Sequence, residues 1–495
     1  MMYGEEKSDS LIVAAKLANN PQGAESVERR SGAKGNAEQP HMRRTQSRES
    51  MSQRLSRVRE AAKQRKKERF TALFHLLTAE ALENAFLSLS RKAAAGVDGV
   101  RWKDYAENLK VNIADLHRRL HQGSYRAQPG RRHYIPKADG KQRPLGIASL
   151  EDKIVQYALV KILNAVYEND FMGFSYGFRP GRSQHNALDA LATGLVRTNV
   201  NWVLDADISQ FFDKVSHEWL IRFIEHRIGD QRVIRLIRKW LTAGTSEEGE
   251  WRASEEGTPQ GAVISPLLAN IYLHYVFDLW AHQWRRRHAT GNVVMVRYAD
   301  DIVIGFDKRI DAQCFRIAMQ RRLKEFGLTV HPKKTRLMEF GRFAAENRAS
   351  RGKGKPETFN FLGFTHISGK DRSGRFMLIR KTRRDRMTAT LKAIKDGLRK
   401  RWHYSIPEQG KWLRRVVQGY LNYHSVPGNY PMMRKFRIYV TDLWRRALRR
   451  RSQQDDTTWT KANRLAAVWL PKVRVLHPWP VERFTARHPR QEPGA

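Results

Sequence analysis

Two adjacent carboxylates, Asp300 and Asp301, constrain the fold of this chain more than any other feature, because an apolar run lies on each side of them. The runs are Val293-Val294-Met295-Val296 and Ile302-Val303-Ile304-Gly305-Phe306. This pattern predicts a β-hairpin whose turn, Tyr298-Ala299-Asp300-Asp301, carries both acids. Hard divalent cations such as Mg²⁺ take oxygen ligands, and a turn anchored by buried strands can present two carboxylates at one point. The hairpin therefore suits a metal-dependent phosphoryl-transfer site.

A second acidic segment follows another apolar run, in Trp202-Val203-Leu204-Asp205-Ala206-Asp207-Ile208. In a strand, the period of two puts Asp205 and Asp207 on the same face, and periodicity alone does not choose between them. A two-metal site needs carboxylates from separate elements, holding ions about 3.5–4 Å apart. An acidic pair at a turn is usually just solvated, so it is the joint occurrence of strand and hairpin that favours catalysis.

The charge of the chain points to a polyanionic partner. Its 495 residues include 91 Lys and Arg against 50 Asp and Glu, a formal charge of +41. Self-repulsion on that scale favours a nucleic-acid partner over surplus charge that only keeps the protein soluble. The single cysteine, Cys314, excludes an intramolecular disulfide and a Cys-rich zinc module. No apolar run approaches the roughly 20 residues that span a bilayer, so we expect a cytoplasmic protein without a membrane partner.

The chain is long enough for two to four domains. Residues 1–51 carry almost no aromatics and predict a disordered basic leader. Two strands around Ala138-Asp139-Gly140 predict a second hairpin over 131–147, and helices are expected over 151–167 and 215–228. Composition shifts near residue 370, where basic residues begin to interleave with aromatics, and the Pro-rich end predicts a tail strapped onto the rest of the chain.

Many segments, in one order from about residue 60 to about 485, resemble group II intron-encoded reverse transcriptases, also called maturases. Besides the hairpin, they are Gly96-Val97-Asp98-Gly99, Ile135-Pro136-Lys137, Arg143-Pro144-Leu145-Gly146-Ile147, Tyr176-Gly177-Phe178-Arg179-Pro180-Gly181-Arg182, Asp207-Ile208-Ser209-Gln210-Phe211-Phe212-Asp213, Gly257-Thr258-Pro259-Gln260-Gly261, Ser265-Pro266-Leu267, Lys333-Lys334-Thr335, Phe361-Leu362-Gly363-Phe364 and Gly419-Tyr420-Leu421-Asn422-Tyr423-His424. The resemblance implies an α+β right-hand polymerase, with fingers and palm of reverse transcriptase type and a mainly helical thumb/maturase domain X. Its parts would be an N-terminal extension and fingers over 52–200, a palm over 201–370, the thumb/domain X over 371–455 and a short DNA-binding-like tail over 456–495.

The resemblance also implies which acids are catalytic. It makes Asp207, Asp300 and Asp301 the catalytic ligands of two Mg²⁺ ions, for which Mn²⁺ can substitute, with the Ile208 carbonyl beside them. Asp205 then has a supporting role. The single cysteine is a departure from members with a C-terminal HNH endonuclease, which carry paired cysteines, so we expect that module to be missing.

Further roles follow from the same resemblance. Lys137 and Arg143 would grip the incoming triphosphate, unless they are ordinary surface cations. Phe212 would crowd the sugar 2′ position, unless it is a core residue. Lys334 would contact the nucleotide, unless it forms an ion pair with the acids. The implied nucleotide contacts are Lys137, Arg143, Phe211, Phe212, Gln260 and Lys334, and the implied primer grip is Phe361, Leu362, Gly363 and Phe364.

RNA recognition is expected from cations that neutralise phosphates and aromatics that stack on unpaired bases. The candidate cations are Arg179, Arg182, Arg445, Arg446, Arg449 and Arg450. We expect at least half of the C-terminal aromatics to be packing residues, with Trp402, Trp412 and Trp444 buried.

The function implied is an RNA-directed DNA polymerase of a group II intron that also binds the intron RNA to assist splicing and mobility. Its expected partners are structured intron RNA, an RNA template with a DNA primer, target DNA and deoxynucleoside triphosphates. The sequence leaves two alternatives open. One is an RNA-binding maturase without polymerase function, and the other is a domesticated, defence-associated reverse transcriptase.

Overall fold

The fold combines α-helices with three β-sheets. The computed structural model describes residues 50–136, 142–247, 249–451 and 457–487, so Lys137, the 138–140 turn and nearly all of the 1–51 leader lie outside the described residues. The strands are β1 Gly130–Pro136, β2 Gln142–Ile147, β3 Trp202–Asp207, β4 Thr245–Glu247, β5 Glu250–Arg252, β6 Val293–Tyr298, β7 Asp301–Phe306, β8 Arg336–Glu339, β9 Phe359–Phe361, β10 Phe364–Lys370 and β11 Phe376–Thr382.

The helices surround these sheets. Those before β6 are α1 Met51–Gln64, α2 Ala79–Ser88, α3 Trp102–Glu107, α4 Leu109–Gln122, α5 Leu150–Tyr167, α6 Gln184–Arg197, α7 His217–Arg227, α8 Gln231–Thr242, α9 Ser265–Leu273 and α10 Leu279–Arg287. Those after β7 are α11 Arg309–Glu325, α12 Ala344–Ala349, α13 Arg384–Arg399, α14 Ile406–His424, α15 Tyr430–Arg449, α16 Trp459–Trp469 and α17 Pro480–Arg487. Within the described part of the chain, no helix is both long enough and apolar enough to span a bilayer.

The central sheet is antiparallel, with strand order β6-β7-β3-β8. Both of its faces are covered, because alternate residues of each strand enter two different cores. Val203 and Val303 pack with α6, whereas Leu204 and Ile304 pack on the opposite side with α9 to α11. The predicted hairpin, the 202–208 strand and the 151–167 helix are all confirmed.

A second sheet, β2-β1-β4-β5, joins distant parts of the chain. β1 and β2 form the predicted antiparallel hairpin, and β4 runs parallel to β1. The segment 245–252, which the sequence prediction assigned to the palm, therefore belongs to the sheet of the N-terminal part.

The third sheet corrects the predicted boundary near residue 370. β10 and β11 form an antiparallel hairpin that pairs Lys370 with Phe376, so a cut at that position would divide a hairpin. The helical C-terminal part begins only at Arg384, where α13 starts. Helices α13 to α16 share their own apolar core around Trp444.

The C-terminal segment is strapped onto the rest of the molecule, as predicted. α17 packs on α6, where Arg483 binds Asp189, and that carboxylate also lies 3.6 Å from Arg380 of β11. The ring of His477 stacks on that of His185, with centroids 4.0 Å apart. These contacts fasten the helical part to the central sheet.

Candidate active site

The sheet register brings the three predicted acids to one end of the central sheet. Asp207, the last residue of β3, is the cross-strand neighbour of Asp301, the first residue of β7. Asp300 precedes Asp301 in the turn that joins β6 to β7. Asp205 lies two residues back on the same face of β3, opposite Val303 and Arg336. The two acidic segments, 94 residues apart from Asp207 to Asp301, thus meet directly across one strand pair.

The electrostatics of this cluster favour a cation. Loss of hydration raises the pKa of Asp301 to about 6, and repulsion from Asp300 and Asp207 acts in the same direction. The pKa of Asp300 is raised by the same causes, while Arg143 and Lys334 oppose the shift. Burial raises the pKa of Asp205 to about 7. The ionised forms of Asp205, Asp300 and Asp301 are therefore destabilised by their surroundings. A bound cation of high charge would stabilise these ionised forms.

Lys334 supplies a positive charge at this position in the structure. Its Nζ donates to Oδ2 of Asp207 over 2.6 Å, which is the ion pair that sequence reasoning kept as an alternative to a nucleotide contact. The carboxylate raises the pKa of the lysine ammonium group. The backbone of Asp207 is held separately, because His331 N–H donates to its carbonyl oxygen over 2.7 Å.

The donor set of the cluster fits Mg²⁺ or Mn²⁺, since carboxylate oxygens are the ligands that these ions prefer. Among the described residues, no three His, Cys, Asp or Glu side chains are already gathered as a closed metal-binding group. The raised pKa values and the lysine that neutralises Asp207 nevertheless mark the cluster as a place where excess negative charge is stabilised by a cation.

The acidic turn rests on a buried arginine that sequence reasoning missed. Arg297 is fully buried, and its Nε and Nη2 bind both oxygens of Asp278 over 2.7 and 2.6 Å. Its Nη1 donates to the Ala299 carbonyl over 3.1 Å and to Asn270 over 3.2 Å, and its Nη2 donates to Ser175 Oγ over 2.7 Å. The sequence does contain a signal for this role, because Arg297 is a cation within an otherwise apolar strand and a buried charge needs a partner.

The support of this turn is geometrically demanding. Ala299 has φ +56°, a left-handed conformation that non-glycine residues rarely adopt. Gly177 passes so close beneath it that a Cβ at that position would lie 2.3 Å from the Ala299 nitrogen. The Gly177 carbonyl accepts from the Asn270 side chain over 2.7 Å. The arginine and the glycine together therefore fix where the acids point.

Gln260 lies at the junction between the β1–β2 hairpin and the acids. Its carbonyl accepts from Gly146 N–H over 2.7 Å, and its Nε2 donates to Asp213 over 2.6 Å. Asp213 thus holds this loop. Arg143, on β2, is exposed and near enough to affect the charge of Asp300.

The two neighbouring phenylalanines have different environments. Phe211 is 2% exposed and packs in the core, so its predicted contact with a nucleotide is contradicted. Phe212 is half-buried and meets Phe178 edge to face, with ring centroids 6.4 Å apart. Phe178 is 50% exposed and was not among the predicted site residues.

The predicted primer grip shares a cavity with the acids. A cleft of about 520 Å³ is lined by Asp300, Asp301 and the turn residues Leu362 and Gly363. Phe361 and Phe364 are buried on either side of that turn, so they support it without facing the cleft. The same cleft is lined by Arg383 and Arg386, which sequence reasoning missed, and by Tyr423, which it named only as part of the 419–424 segment.

Arg179 and Arg182 do not face solvent as RNA-binding cations would. Arg179 is 6% exposed, pairs with Glu168 over 3.0 Å and donates to the Met172 and Ser175 carbonyls. Arg182 is half-buried over the Tyr176 ring and donates to the Gly173 carbonyl. The structure contradicts the RNA-contact prediction for Arg179 and gives Arg182 a structural role.

The cations of α15 differ in their availability. Arg445 is half-buried, binds Asp442 over 2.9 Å and lies over the Trp459 ring. Arg446, Arg449 and Arg450 are exposed, although Arg446 also reaches Asp442 over 2.6 Å.

Of the three tryptophans expected to be buried, Trp444 is buried and Trp412 is half-buried. Trp402 is 56% exposed, so that prediction is wrong.

Comparison with known proteins agrees with this geometry. The model of the family described as reverse transcriptase (RNA-dependent DNA polymerase) matches residues 135–366. Protein YkfC of Escherichia coli (strain K12) is 43% identical over 206 residues, which cover 41% of this chain and 54% of that protein. Group II intron-encoded protein LtrA of Lactococcus lactis subsp. cremoris is 37% identical over 223 residues, 44% of this chain and 37% of that protein.

A longer match of lower identity extends the comparison. The putative COX1/OXI3 intron 1 protein of Saccharomyces cerevisiae is 26% identical over 393 residues, which cover 66% of this chain and 46% of that protein. The matched segments thus span about half or less of these relatives. The matched region, with its acidic hairpin beside β3, defines a reverse transcriptase domain. The relatives that it resembles include a group II intron-encoded protein and a yeast mitochondrial intron protein.

Proposed function

We propose that this protein is an RNA-directed DNA polymerase of a group II intron that also binds the intron RNA. The observation that carries the proposal is the pairing of Asp207 with Asp301, beside Asp300, in a chain whose formal charge is +41. Acids gathered at the end of a sheet are costly next to nucleic-acid phosphates unless cations bind there. A polymerase site explains why such a basic chain keeps them together.

In this proposal the central sheet is the palm, the β1–β2 sheet belongs to the fingers, and α13 to α15 form the thumb. Asp207, Asp300 and Asp301, with the Ile208 carbonyl, would hold two Mg²⁺ ions. When bound, these ions lower the pKa of the primer 3′-hydroxyl and stabilise the leaving phosphate oxygen. Arg297 and Gly177 would maintain the position of the acidic turn while the primer end advances.

The residues around the acids have separate tasks in the proposal. Arg143, together with Lys137, would bind the triphosphate from the fingers side, and Gln260 would contact the nucleotide or template. Lys334 would leave Asp207 for a phosphate oxygen when a metal ion takes over that carboxylate. Phe212 would close the space at the sugar 2′ position and select deoxynucleotides. Leu362 and Gly363 would support the primer strand across the cleft from the acids.

A second function, RNA binding that assists splicing, is favoured by the exposed cations of α15. Arg446, Arg449 and Arg450 follow one another along a single helix that carries no acid in its last turn. Cations in such a row can neutralise successive phosphates and release their counterions. Target DNA, expected from the resemblance, would be a further nucleic-acid partner.

The test of the proposal is primer extension on an RNA template with Asp300→Asn. The substitution keeps size and hydrogen bonding but removes a ligand charge, so we expect extension to fall below detection. Affinity for RNA in the absence of nucleotides should stay within about twofold of the wild type, since the acids do not bind RNA directly.

Asp371→Asn is the matched control, because Asp371 is a carboxylate in the β10–β11 turn that binds Ser373 and Arg375 locally. It should extend primers as the wild type does. Undiminished DNA synthesis by Asp300→Asn would refute the assignment of the acids. A wild-type chain that binds RNA but makes no DNA would favour the maturase-only alternative.

A further inference from the structure

A basic groove with an exposed tryptophan lies on the helical part, away from the acidic cleft. It has a volume of about 780 Å³ and is lined by residues of α13 and α15 and by Trp402, which follows α13. That volume is within the range of small-ligand sites in proteins, which runs from about 300 to about 1,000 Å³. Residues of the polymerase site described above do not line it.

The floor and the rim of the groove differ in character. Leu398, Leu443 and Ala447 form an apolar floor, and Leu398 belongs to the core that unites these helices. Lys395 and Arg399 of α13, Arg446 of α15 and Arg450, which directly follows α15, surround it with four positive charges, of which Arg446 also binds Asp442 over 2.6 Å. An apolar floor under a cationic rim matches a ligand that combines a flat apolar face with phosphate groups.

Trp402 gives the groove its flat aromatic surface. Its side chain is 56% exposed, although a tryptophan on a helix hairpin would normally pack into the nearby core. Trp444 is buried in that core and Trp412 packs against it, so the core is filled without Trp402. A tryptophan left exposed beside four cations is an arrangement that binds unpaired bases by stacking.

We propose that this groove binds a single unpaired nucleotide of RNA, with its base stacked on Trp402 and its flanking phosphates between Arg446, Arg450 and the α13 cations. One carboxylate, Asp396, also lines the groove. Its carboxylate can accept a hydrogen bond from the exocyclic amino group of adenine, cytosine or guanine. An acidic peptide would match the charge but not the exposed aromatic face.

This inference rests on the proposed function only in taking RNA as the ligand. It can be tested without nucleotides or DNA synthesis, so its failure is distinguishable from a failure of the polymerase proposal. The probe is a short RNA hairpin with one bulged 2-aminopurine, and the matched probe has the same base paired. Stacking on an indole quenches the fluorescence of 2-aminopurine, which reports on this one base even if the RNA also binds elsewhere.

The full-length wild-type chain should quench the bulged probe and leave the paired probe unchanged. Trp402→Ala should abolish the quenching and weaken affinity for the bulged probe by about 5- to 150-fold, the equivalent of about 1–3 kcal/mol for one stacked base. Trp402→Tyr should keep most of the quenching. Because Trp402 is largely exposed, neither variant should change the thermal unfolding of the protein.

Two controls define the site further. Trp479→Ala removes a tryptophan of similar exposure, 51%, that does not line the groove, and it should behave as the wild type does. The double variant Arg446→Gln/Arg450→Gln should reduce the slope of log affinity against log salt by about 1.5, because two phosphate contacts are lost. Equal quenching by the wild type and Trp402→Ala would overturn the inference, as would displacement of the bulged RNA by polyglutamate at an equal charge concentration.

Discussion

Replacing the buried arginine beneath the acidic turn separates the stability of the fold from the geometry of the site. Arg297 and Asp278 are both fully buried and joined by two hydrogen bonds. Burial raises the pKa of Asp278, and the guanidinium opposes that effect. Removing one partner leaves an uncompensated charge in the core, which typically costs about 3–5 kcal/mol. Arg297→Met should therefore lower the free energy of unfolding by about that amount.

The double variant Arg297→Met/Asp278→Leu removes both charges together. Replacing a buried ion pair with apolar side chains is often neutral or stabilising, so the double variant should regain more than half of the lost stability. It does not restore the hydrogen bond to the Ala299 carbonyl. A hydrogen bond from a charged donor contributes about 1.5–3 kcal/mol. If that energy holds the turn at φ +56°, extension should stay about 10- to 150-fold below the wild type in both variants.

The assay combines urea unfolding, followed by tryptophan fluorescence, with single-turnover primer extension at a temperature where all variants are folded. We expect the double variant to recover stability without recovering activity. A double variant that extends primers at the wild-type rate would show that Arg297 only stabilises the core. It would then have no part in positioning Asp300 and Asp301.

Two further predictions concern sugar selection and pH. Phe212→Ala should raise ribonucleotide incorporation relative to deoxynucleotide by about 5- to 150-fold, since a lost packing contact is worth about 1–3 kcal/mol, whereas Phe178→Ala should leave sugar selection unchanged. A competition assay with both nucleotide types measures this, and equal selection in the wild type and Phe212→Ala would remove the role from Phe212. Burial lowers the pKa of His366 to about 3 from 6.5, so only the unfolded chain takes up its proton. The contribution of the neutral histidine to the free energy of unfolding is therefore fully present above pH 6.5 and decreases as the pH falls towards 3. His366→Phe should reduce the slope of the free energy of unfolding against pH by up to about 1.4 kcal/mol per pH unit. Urea unfolding at pH 6 and pH 4.5 measures it, and an unchanged slope would contradict the burial argument.

The local elements could be predicted from the sequence because their apolar patterns are strong. The strand ending at Asp207 begins with the apolar run Trp202-Val203-Leu204, and the hairpin carries the runs 293–296 and 302–306. Consecutive apolar residues of this kind are buried in a sheet that is covered on both faces. The pairing of Asp207 with Asp301 was implied by the family resemblance and not by periodicity. The pattern within one strand carries no information on which strand becomes its neighbour.

The errors arose where tertiary contacts decide the environment of a residue. Arg179 is an arginine in a Gly- and Pro-punctuated loop, which looks exposed in sequence, yet Glu168 and backbone carbonyls enclose it. Trp402 is an aromatic residue between two helices, which looks like a packing residue, yet other side chains fill that core first. The boundary near residue 370 followed a change of composition, whereas the β10–β11 hairpin continues across it.

In the proposed polymerase, Asp207, Asp300 and Asp301 hold two divalent ions for DNA synthesis. The most direct test is anomalous diffraction from crystals of the protein with an RNA template, a DNA primer, an incoming deoxynucleotide and Mn²⁺. We expect two anomalous peaks about 3.5–4 Å apart, bound by oxygens of these acids, with Lys334 released from Asp207. Mn²⁺ bound elsewhere, with the Lys334–Asp207 ion pair intact and the nucleotide in place, would refute the assignment of these acids as metal ligands.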